Sequence, residues 1–144
     1  MKKALLFSTL LFVSAACSRN NDVAPTLASE VAGTYLTNGF LDILCIALPA
    51  NQMPAVTLTP ETEAAVTLTY LRQYPTAQSQ TLTHLQLTRL ADKSIQLTQQ
   101  GQVLGTVQTD RAFNTNGMER QALVLRVQTN ANPQTAITFT GAKE

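Results

Sequence analysis

The stretch that decides the fold is Ala64-Ala65-Val66-Thr67-Leu68-Thr69-Tyr70-Leu71-Arg72. Val66, Leu68 and Tyr70 alternate with threonines, and successive side chains of an extended chain point to opposite faces of a sheet. Threonine, valine and tyrosine are also among the residue types most enriched in strands. This stretch is therefore predicted to be a β-strand with one buried face and one solvated face.

The same two-residue period recurs along the chain after residue 30. Turn sequences separate the alternating stretches and include two Asn-Gly pairs, Asn38-Gly39 and Asn116-Gly117. The alternation slips within 81–90 and indicates a bulge near His84, and Gly105 is expected where the sheet bends. Eight strands are predicted, at 31–37, 40–48, 64–72, 81–90, 94–98, 102–109, 121–129 and 135–140.

One of these strands, Phe40–Leu48, is apolar at almost every position. Such a run fits a strand buried on both faces or a short helix, and we favour the strand. The next segment, Pro49–Pro60, contains three prolines and is predicted to be a loop.

Length and composition agree with a single folded domain. The chain has 144 residues, of which 44% are hydrophobic and only 13% are charged. These values exclude a highly charged disordered chain and a coiled coil. Eight strands with short connections favour an antiparallel up-and-down meander, and curling into a barrel or half-barrel hides its edges. The predicted fold class is therefore all-β.

The N-terminal segment has the features of an export signal. Met1-Lys2-Lys3 is positively charged, and Ala4–Val13 is an apolar run too short to span a bilayer. Ser14-Ala15-Ala16 supplies small residues before Cys17. Cleavage by an ordinary secretory peptidase is compatible with these residues, and without lipid a disulfide between Cys17 and Cys45 is possible.

The segment ending at Cys17 resembles the lipobox of bacterial lipoproteins. This resemblance implies cleavage before Cys17, diacylglycerol on its thiol and acylation, typically with palmitate, of the new amino terminus. The expected organisation is a signal peptide at 1–16, a lipidated cysteine and tether at 17–30, and one β-domain at 31–141. Ser18 is not the acidic residue that retains many lipoproteins in the inner membrane, so we expect anchoring in the cell envelope at the outer membrane.

A second resemblance concerns the β-domain. Val31-Ala32-Gly33-Thr34-Tyr35, at the start of an eight-strand meander, looks like the first strand of lipocalin or calycin-type domains, with Tyr35 where that family has tryptophan. The stretch 95–107 resembles a hairpin of small lipocalin-like lipoproteins of Bacteroidota. These resemblances imply a lipocalin-like barrel on a lipid tether, in a group whose members mostly lack an assigned activity.

Few residues suit catalysis, a metal site or nucleic acid. His84 is the single histidine, and without a second histidine or a thiolate pair no zinc site or cofactor is predicted. Glu61 and Glu63 are the closest carboxylates and fit a solvated strand entrance on one face. Without Lys2 and Lys3, eight basic and nine acidic residues give a net charge of −1, so no nucleic-acid partner is expected. We predict that the protein is not an enzyme.

The remaining function is binding. An eight-stranded barrel is either filled by its own side chains or holds one small ligand. Our first expectation is a small hydrophobic ligand in a pocket that Tyr35, Tyr70 and Phe139 line. The alternative is a structural or protein-interaction lipoprotein with a filled barrel, whose loops meet another envelope protein. Cys45, among apolar neighbours, is expected to be a small buried residue.

Overall fold

Eight antiparallel strands close into one barrel. The computed structural model describes residues 24–129 and 135–144. Strand order follows the sequence, and the first strand also pairs with the last, Tyr35 opposite Lys143 and Leu36 opposite Ala142. The prediction of an all-β, antiparallel up-and-down barrel is confirmed. The strands are β1 (Gly33–Leu36), β2 (Ala55–Thr62), β3 (Ala65–Arg72), β4 (Gln78–Arg89), β5 (Ile95–Gln99), β6 (Gln102–Phe113), β7 (Glu119–Gln128) and β8 (Thr138–Lys143).

The two faces of the sheet carry the predicted alternation. Threonines stand opposite one another on the outer face, Thr57 against Thr69 and Thr59 against Thr67. The inner face is apolar, and its burial supplies the main favourable contribution to folding. The buried strand residues of this core are Tyr35, Val56, Leu58, Val66, Leu68, Tyr70, Leu85, Leu87, Ile95, Leu97, Val107, Leu125, Val127 and Phe139.

A short helix, α1 (Leu27–Val31), packs on the barrel where β2 turns into β3. Thr26 begins the helix because its side chain accepts a hydrogen bond from the amide of Ser29, and the Ala28 amide donates to the Glu63 carbonyl at 3.0 Å. Ala28 and Val31 belong to the core. Part of the segment assigned to the tether is therefore folded onto the barrel.

The segment between β1 and β2 differs from the prediction. Phe40–Leu48 is not a strand but a series of turns with a 3-10 helix at Ile43–Cys45. The side chain of Asn38 accepts hydrogen bonds from the amides of Phe40 and Leu41, and Asp42 accepts one from Leu44. These local bonds compete with strand pairing and turn the chain, so Asn38-Gly39 does not form a two-residue hairpin.

The prediction of a loop over Pro49–Pro60 is wrong in its second half. A 3-10 helix at Ala50–Gln52 is followed by β2, where Val56 and Leu58 are buried between threonines. Pro60 is tolerated because the register between β2 and β3 shifts between Pro60 and Thr62, and at such an irregularity a missing backbone donor costs little.

The predicted irregularities near His84 and Gly105 are confirmed. His84 has a positive φ of 58°, and the pairing of β3 with β4 shifts register between Val66 and Leu68, across from it. The register of β5 and β6 also shifts, between Leu97 and Thr98. A Cβ atom at Gly105 would lie 2.2 Å from the Arg126 carbonyl oxygen, so only glycine fits there.

The closure between β1 and β8 depends on a glycine. Gly33 has a φ of +137°, a conformation open almost only to glycine. The Lys143 side chain packs against Gly33, and its Nζ atom donates a hydrogen bond to the Glu30 carbonyl at 2.9 Å. Gly33 therefore lets the chain leave α1 and enter the first strand at the seam of the barrel.

Candidate functional site

The three aromatic residues proposed as a pocket lining are brought together inside the barrel. Tyr35, Tyr70 and Phe139 are 0%, 7% and 1% exposed, and the rings of Tyr70 and Phe139 meet edge-on with centroids 6.2 Å apart. The Tyr35 hydroxyl donates to the Val31 carbonyl at 2.7 Å, and burial raises the pKa of Tyr35 well above its usual value. A ligand among these rings has to displace side chains that already pack against one another.

The most unusual surface is the β1–β2 connection, residues 37–54, which we call the apolar loop. Its base is fixed to the outside of the barrel, because the Asn38 side chain donates to the Phe113 carbonyl at 2.7 Å. The ring of Phe40 lies 6.2 Å from that of Phe113. Leu41 packs on a small cluster of buried residues on the outer face, formed by Ala112, Val124 and Ala142.

The tip of the apolar loop points large apolar side chains into solvent. Ile43, Leu44 and Ile46 are 78%, 77% and 74% exposed, whereas Cys45 between them is only 3% exposed. The tight 3-10 turn directs this one side chain inward and the other three outward. Cys45 is a free thiol whose pKa is raised, first by burial and then by Asp42. The prediction that Cys45 is buried is confirmed.

A groove of about 530 Å³ separates the apolar loop from the β6–β7 hairpin. Its apolar wall includes Leu36, Leu41 and Met53, and Arg120 and Glu144 line its polar side. The Arg120 guanidinium donates from Nη2 to the Lys143 carbonyl at 3.2 Å.

One polar group in this groove has no partner in the described part of the chain. Thr37, the first residue of the apolar loop, lines the groove and is 7% exposed, and its hydroxyl makes no hydrogen bond. Buried polar groups are nearly always paired, so this hydroxyl calls for an explanation.

The histidine is bound to a carboxylate on the outside of the barrel. Glu61 accepts hydrogen bonds from the His84 amide at 3.1 Å and from the Thr67 hydroxyl, and it contacts His84 Nδ1 at 2.6 Å. The hydrogen bond from the Thr67 hydroxyl lowers the pKa of Glu61 most, and the backbone amide and imidazole of His84 lower it further. These contacts hold the bulge of β4. The imidazole itself is 82% exposed.

The other predicted carboxylate, Glu63, follows the end of β2. Its backbone carbonyl accepts a hydrogen bond from the Ala28 amide at 3.0 Å. Within residues 24–129 and 135–144, no three His, Cys, Asp or Glu side chains group as metal ligands.

Comparison with known protein families, curated proteins and solved structures gave no match. No helix among the described residues is long and apolar enough to cross a membrane. The chain is thus defined by its own features: a closed eight-stranded barrel of lipocalin-like form, with an apolar loop and a groove on the outside.

Proposed function

We propose that this chain is a non-catalytic, membrane-anchored envelope lipoprotein whose apolar loop docks onto another envelope protein. The observation that carries the proposal is the exposure of Ile43, Leu44 and Ile46 on a loop whose base is bonded to the barrel. Phe40 and Met118 are also exposed, and contiguous apolar surface of a few hundred Å² usually marks an interaction site.

The composition of the loop favours a protein surface over a lipid surface as the occupant. Asp42 is the only charged residue in 37–54, so the loop has no lysine or arginine to attract anionic headgroups. Asn51 and Gln52 add neutral hydrogen-bonding groups beside the apolar tip. An apolar centre depleted of charge with a polar rim is the usual composition of a protein interface.

The proposed anchor rests on the sequence of the leader, because Cys17 lies outside the described residues. Leu27, the first residue of α1, is the tenth residue after Cys17, and ten steps of extended chain span at most about 35 Å. A lipid at Cys17 therefore holds the barrel close to the membrane, and two or more acyl chains anchor stably where one does not. The outer membrane of the cell envelope is the proposed location.

A second candidate function is a small hydrophobic ligand inside the barrel. It is favoured by the convergence of Tyr35, Tyr70 and Phe139 on the inner face. It requires these rings to separate, whereas docking through the apolar loop uses side chains that already face solvent. The exposed side chains of the apolar loop make protein docking the stronger proposal.

The anchor is tested by substituting Cys17→Ala in the full chain and fractionating the host cells. Wild-type protein is expected in the membrane fraction and to incorporate labelled palmitate, whereas Cys17→Ala loses the label and the firm membrane association. Palmitate incorporation by the variant, or none by the wild type, contradicts the anchor.

Docking is tested by the triple variant Ile43→Ser, Leu44→Ser and Ile46→Ser in the anchored protein. Wild type is expected to migrate within a larger heteromeric complex after mild solubilisation of the envelope, and the triple variant to migrate alone. The matched control replaces Leu71 and Val103 with serine, because these exposed apolar residues lie outside the apolar loop. A wild type that migrates alone, or a control that loses the complex equally, refutes docking through this loop.

A further inference from the structure

We propose that Asn116-Gly117, at the tip of the β6–β7 hairpin, is a site of spontaneous deamidation with water as the co-reactant. The chain holds a second Asn-Gly pair, Asn38-Gly39, at the base of the apolar loop. The contacts of the folded chain leave the first pair able to react and hold the second in place. The proposal goes beyond protein docking and does not depend on it.

The reaction joins the backbone nitrogen of glycine to the side chain of the asparagine before it. Base removes the proton of the Gly117 amide, whose nitrogen attacks Asn116 Cγ and closes a cyclic succinimide, and the bond from Cγ to Nδ2 breaks to release ammonia. Water then opens the ring at Cγ, which gives aspartate, or at the Asn116 backbone carbonyl, which gives isoaspartate. Glycine favours the attack because it has no Cβ atom to block the approach.

The Asn116 carboxamide is positioned for this attack. Its Oδ1 accepts a hydrogen bond from the Met118 amide at 3.0 Å, which folds the side chain back beside the intervening Gly117. Negative charge develops on Oδ1 during the attack, and an amide donor stabilises such charge. Asn116 is exposed to water, and its Nδ2 atom, the leaving group, makes no hydrogen bond within the described residues.

The attacking nitrogen lies where the backbone opens easily. Gly117 donates its amide hydrogen to the Asn114 carbonyl at 2.9 Å, and this bond must open before the attack. Asn114, Thr115 and Asn116 are all exposed, and exposed backbone bonds at loop tips open at low free energy. The hairpin therefore reaches the reactive geometry by local opening, without unfolding of the barrel.

Asn38 has the same following residue, but its side chain is held. Its Oδ1 also accepts an amide hydrogen bond, so that contact does not separate the two sites. Its Nδ2, however, donates to the Phe113 carbonyl at 2.7 Å, which ties the leaving group to the barrel. A Cβ atom at Gly39 would lie 2.7 Å from Ile46 Cα, so the backbone after Asn38 has little room to turn. Folding is therefore expected to protect Asn38 but not Asn116.

The reaction changes the hairpin tip in two ways. Aspartate or isoaspartate adds a negative charge beside two exposed apolar side chains, Met118 and the Phe40 ring that lies against Gly117. Isoaspartate also lengthens the main chain, which then passes through Cβ and Cγ of residue 116. A deamidated molecule thus presents a different surface next to the apolar loop from a newly made one.

The test follows deamidation of the purified full chain in mild detergent, at mildly alkaline pH in water labelled with heavy oxygen, with digestion afterwards in ordinary water. Trypsin releases peptide 112–120, which contains Asn116 together with Asn114, an internal control because threonine follows it. Asn116 is expected to gain labelled oxygen at least tenfold faster than Asn38, and Asn114 to stay unlabelled. In the urea-unfolded chain both Asn-Gly pairs are expected to react at similar rates, because the contacts that hold Asn38 are lost.

Two results would overturn the proposal. One is an Asn116 that stays unlabelled in the folded protein under conditions that convert it in the unfolded chain. The other is an Asn38 that gains label as fast as Asn116 before unfolding. A failure of protein docking leaves both measurements unaffected, because they use the purified protein alone.

Discussion

The close approach of two strands at Gly105 makes a sharp prediction about stability. A Cβ atom at this position would lie 2.2 Å from the Arg126 carbonyl oxygen and 3.0 Å from Val127 Cα, whereas ordinary contacts begin near 3.4 Å. Both neighbours are backbone atoms of β7, so no side chain can rotate away. Gly105→Ala therefore forces β6 and β7 apart by about 1 Å, within the range of overpacking that costs 1–3 kcal/mol or more.

We expect Gly105→Ala to lose about 3 kcal/mol, at the upper end of that range, because the barrel is closed and a displaced strand disturbs both its neighbours. For a domain of this size the loss corresponds to a fall in melting temperature of roughly 10–15 °C. The assay is thermal unfolding followed by circular dichroism at 218 nm, repeated with urea to confirm that the midpoint and not the slope has changed.

Gly101→Ala is the matched control. Gly101 lies in the β5–β6 turn with a φ of +80°, and nothing stands within 4 Å of its Cβ position. Alanine there meets only the strain of a left-handed conformation, about 1–2 kcal/mol. If Gly105→Ala melts within 2 °C of wild type, or no lower than Gly101→Ala, the register of β6 and β7 described above is wrong.

Three further predictions concern single groups. Tyr35→Phe is expected to lower the free energy of unfolding by about 1–2 kcal/mol in urea, because the Val31 carbonyl loses its buried donor; unchanged stability contradicts that bond. Cys45 is expected to react with a thiol reagent only as fast as the protein unfolds, and rapid labelling of the folded protein contradicts its burial. Hydrogen bonds lower the pKa of Asp110 to about 2, and the strongest effect comes from Arg126, followed by the Arg111 amide and Gln108. Between pH 4 and 2 the folded state therefore binds fewer protons than the unfolded state. Stability from this carboxylate is present above pH 4 and is lost on acidification towards pH 2, by up to about 1 kcal/mol, and Arg126→Gln should flatten that loss in acid titrations.

The sequence predicted strand positions best where a strand has one buried face and one face in solvent. In β3 the alternation of Val66, Leu68 and Tyr70 with threonines reflects the inside and outside of the barrel directly, so the strand could be placed to within one residue. The break in the alternation near His84 could also be detected in the sequence, because a bulge moves every following side chain to the other face.

The apolar loop could not be predicted for a physical reason. A continuous apolar run indicates burial on both faces, yet Ile43, Leu44 and Ile46 remain in solvent while Cys45 is buried. What turns this segment away from the sheet is a set of side chain to backbone hydrogen bonds from Asn38 and Asp42, which periodicity does not register. The available signal was a pair of Asx-type residues, Asn38 just before the run and Asp42 within it.

The groove was also beyond sequence reasoning. Thr37 and Arg120 are 83 positions apart, and they line one groove only because the β6–β7 hairpin meets the base of the apolar loop. The inner aromatic residues, by contrast, were placed correctly on one face by alternation. Periodicity thus identifies which residues face inward but not whether they leave space for a ligand.

We propose that this protein acts through the apolar loop on the outside of its barrel. The most direct measurement is photo-crosslinking in living host cells, with a photoreactive phenylalanine analogue at Leu44 and, as control, at Val103. Docking through the loop predicts one discrete adduct with another envelope protein from position 44 that is absent from position 103. No adduct from position 44, adducts with lipid alone or with a second copy of this chain, or the same adduct from position 103 would contradict it.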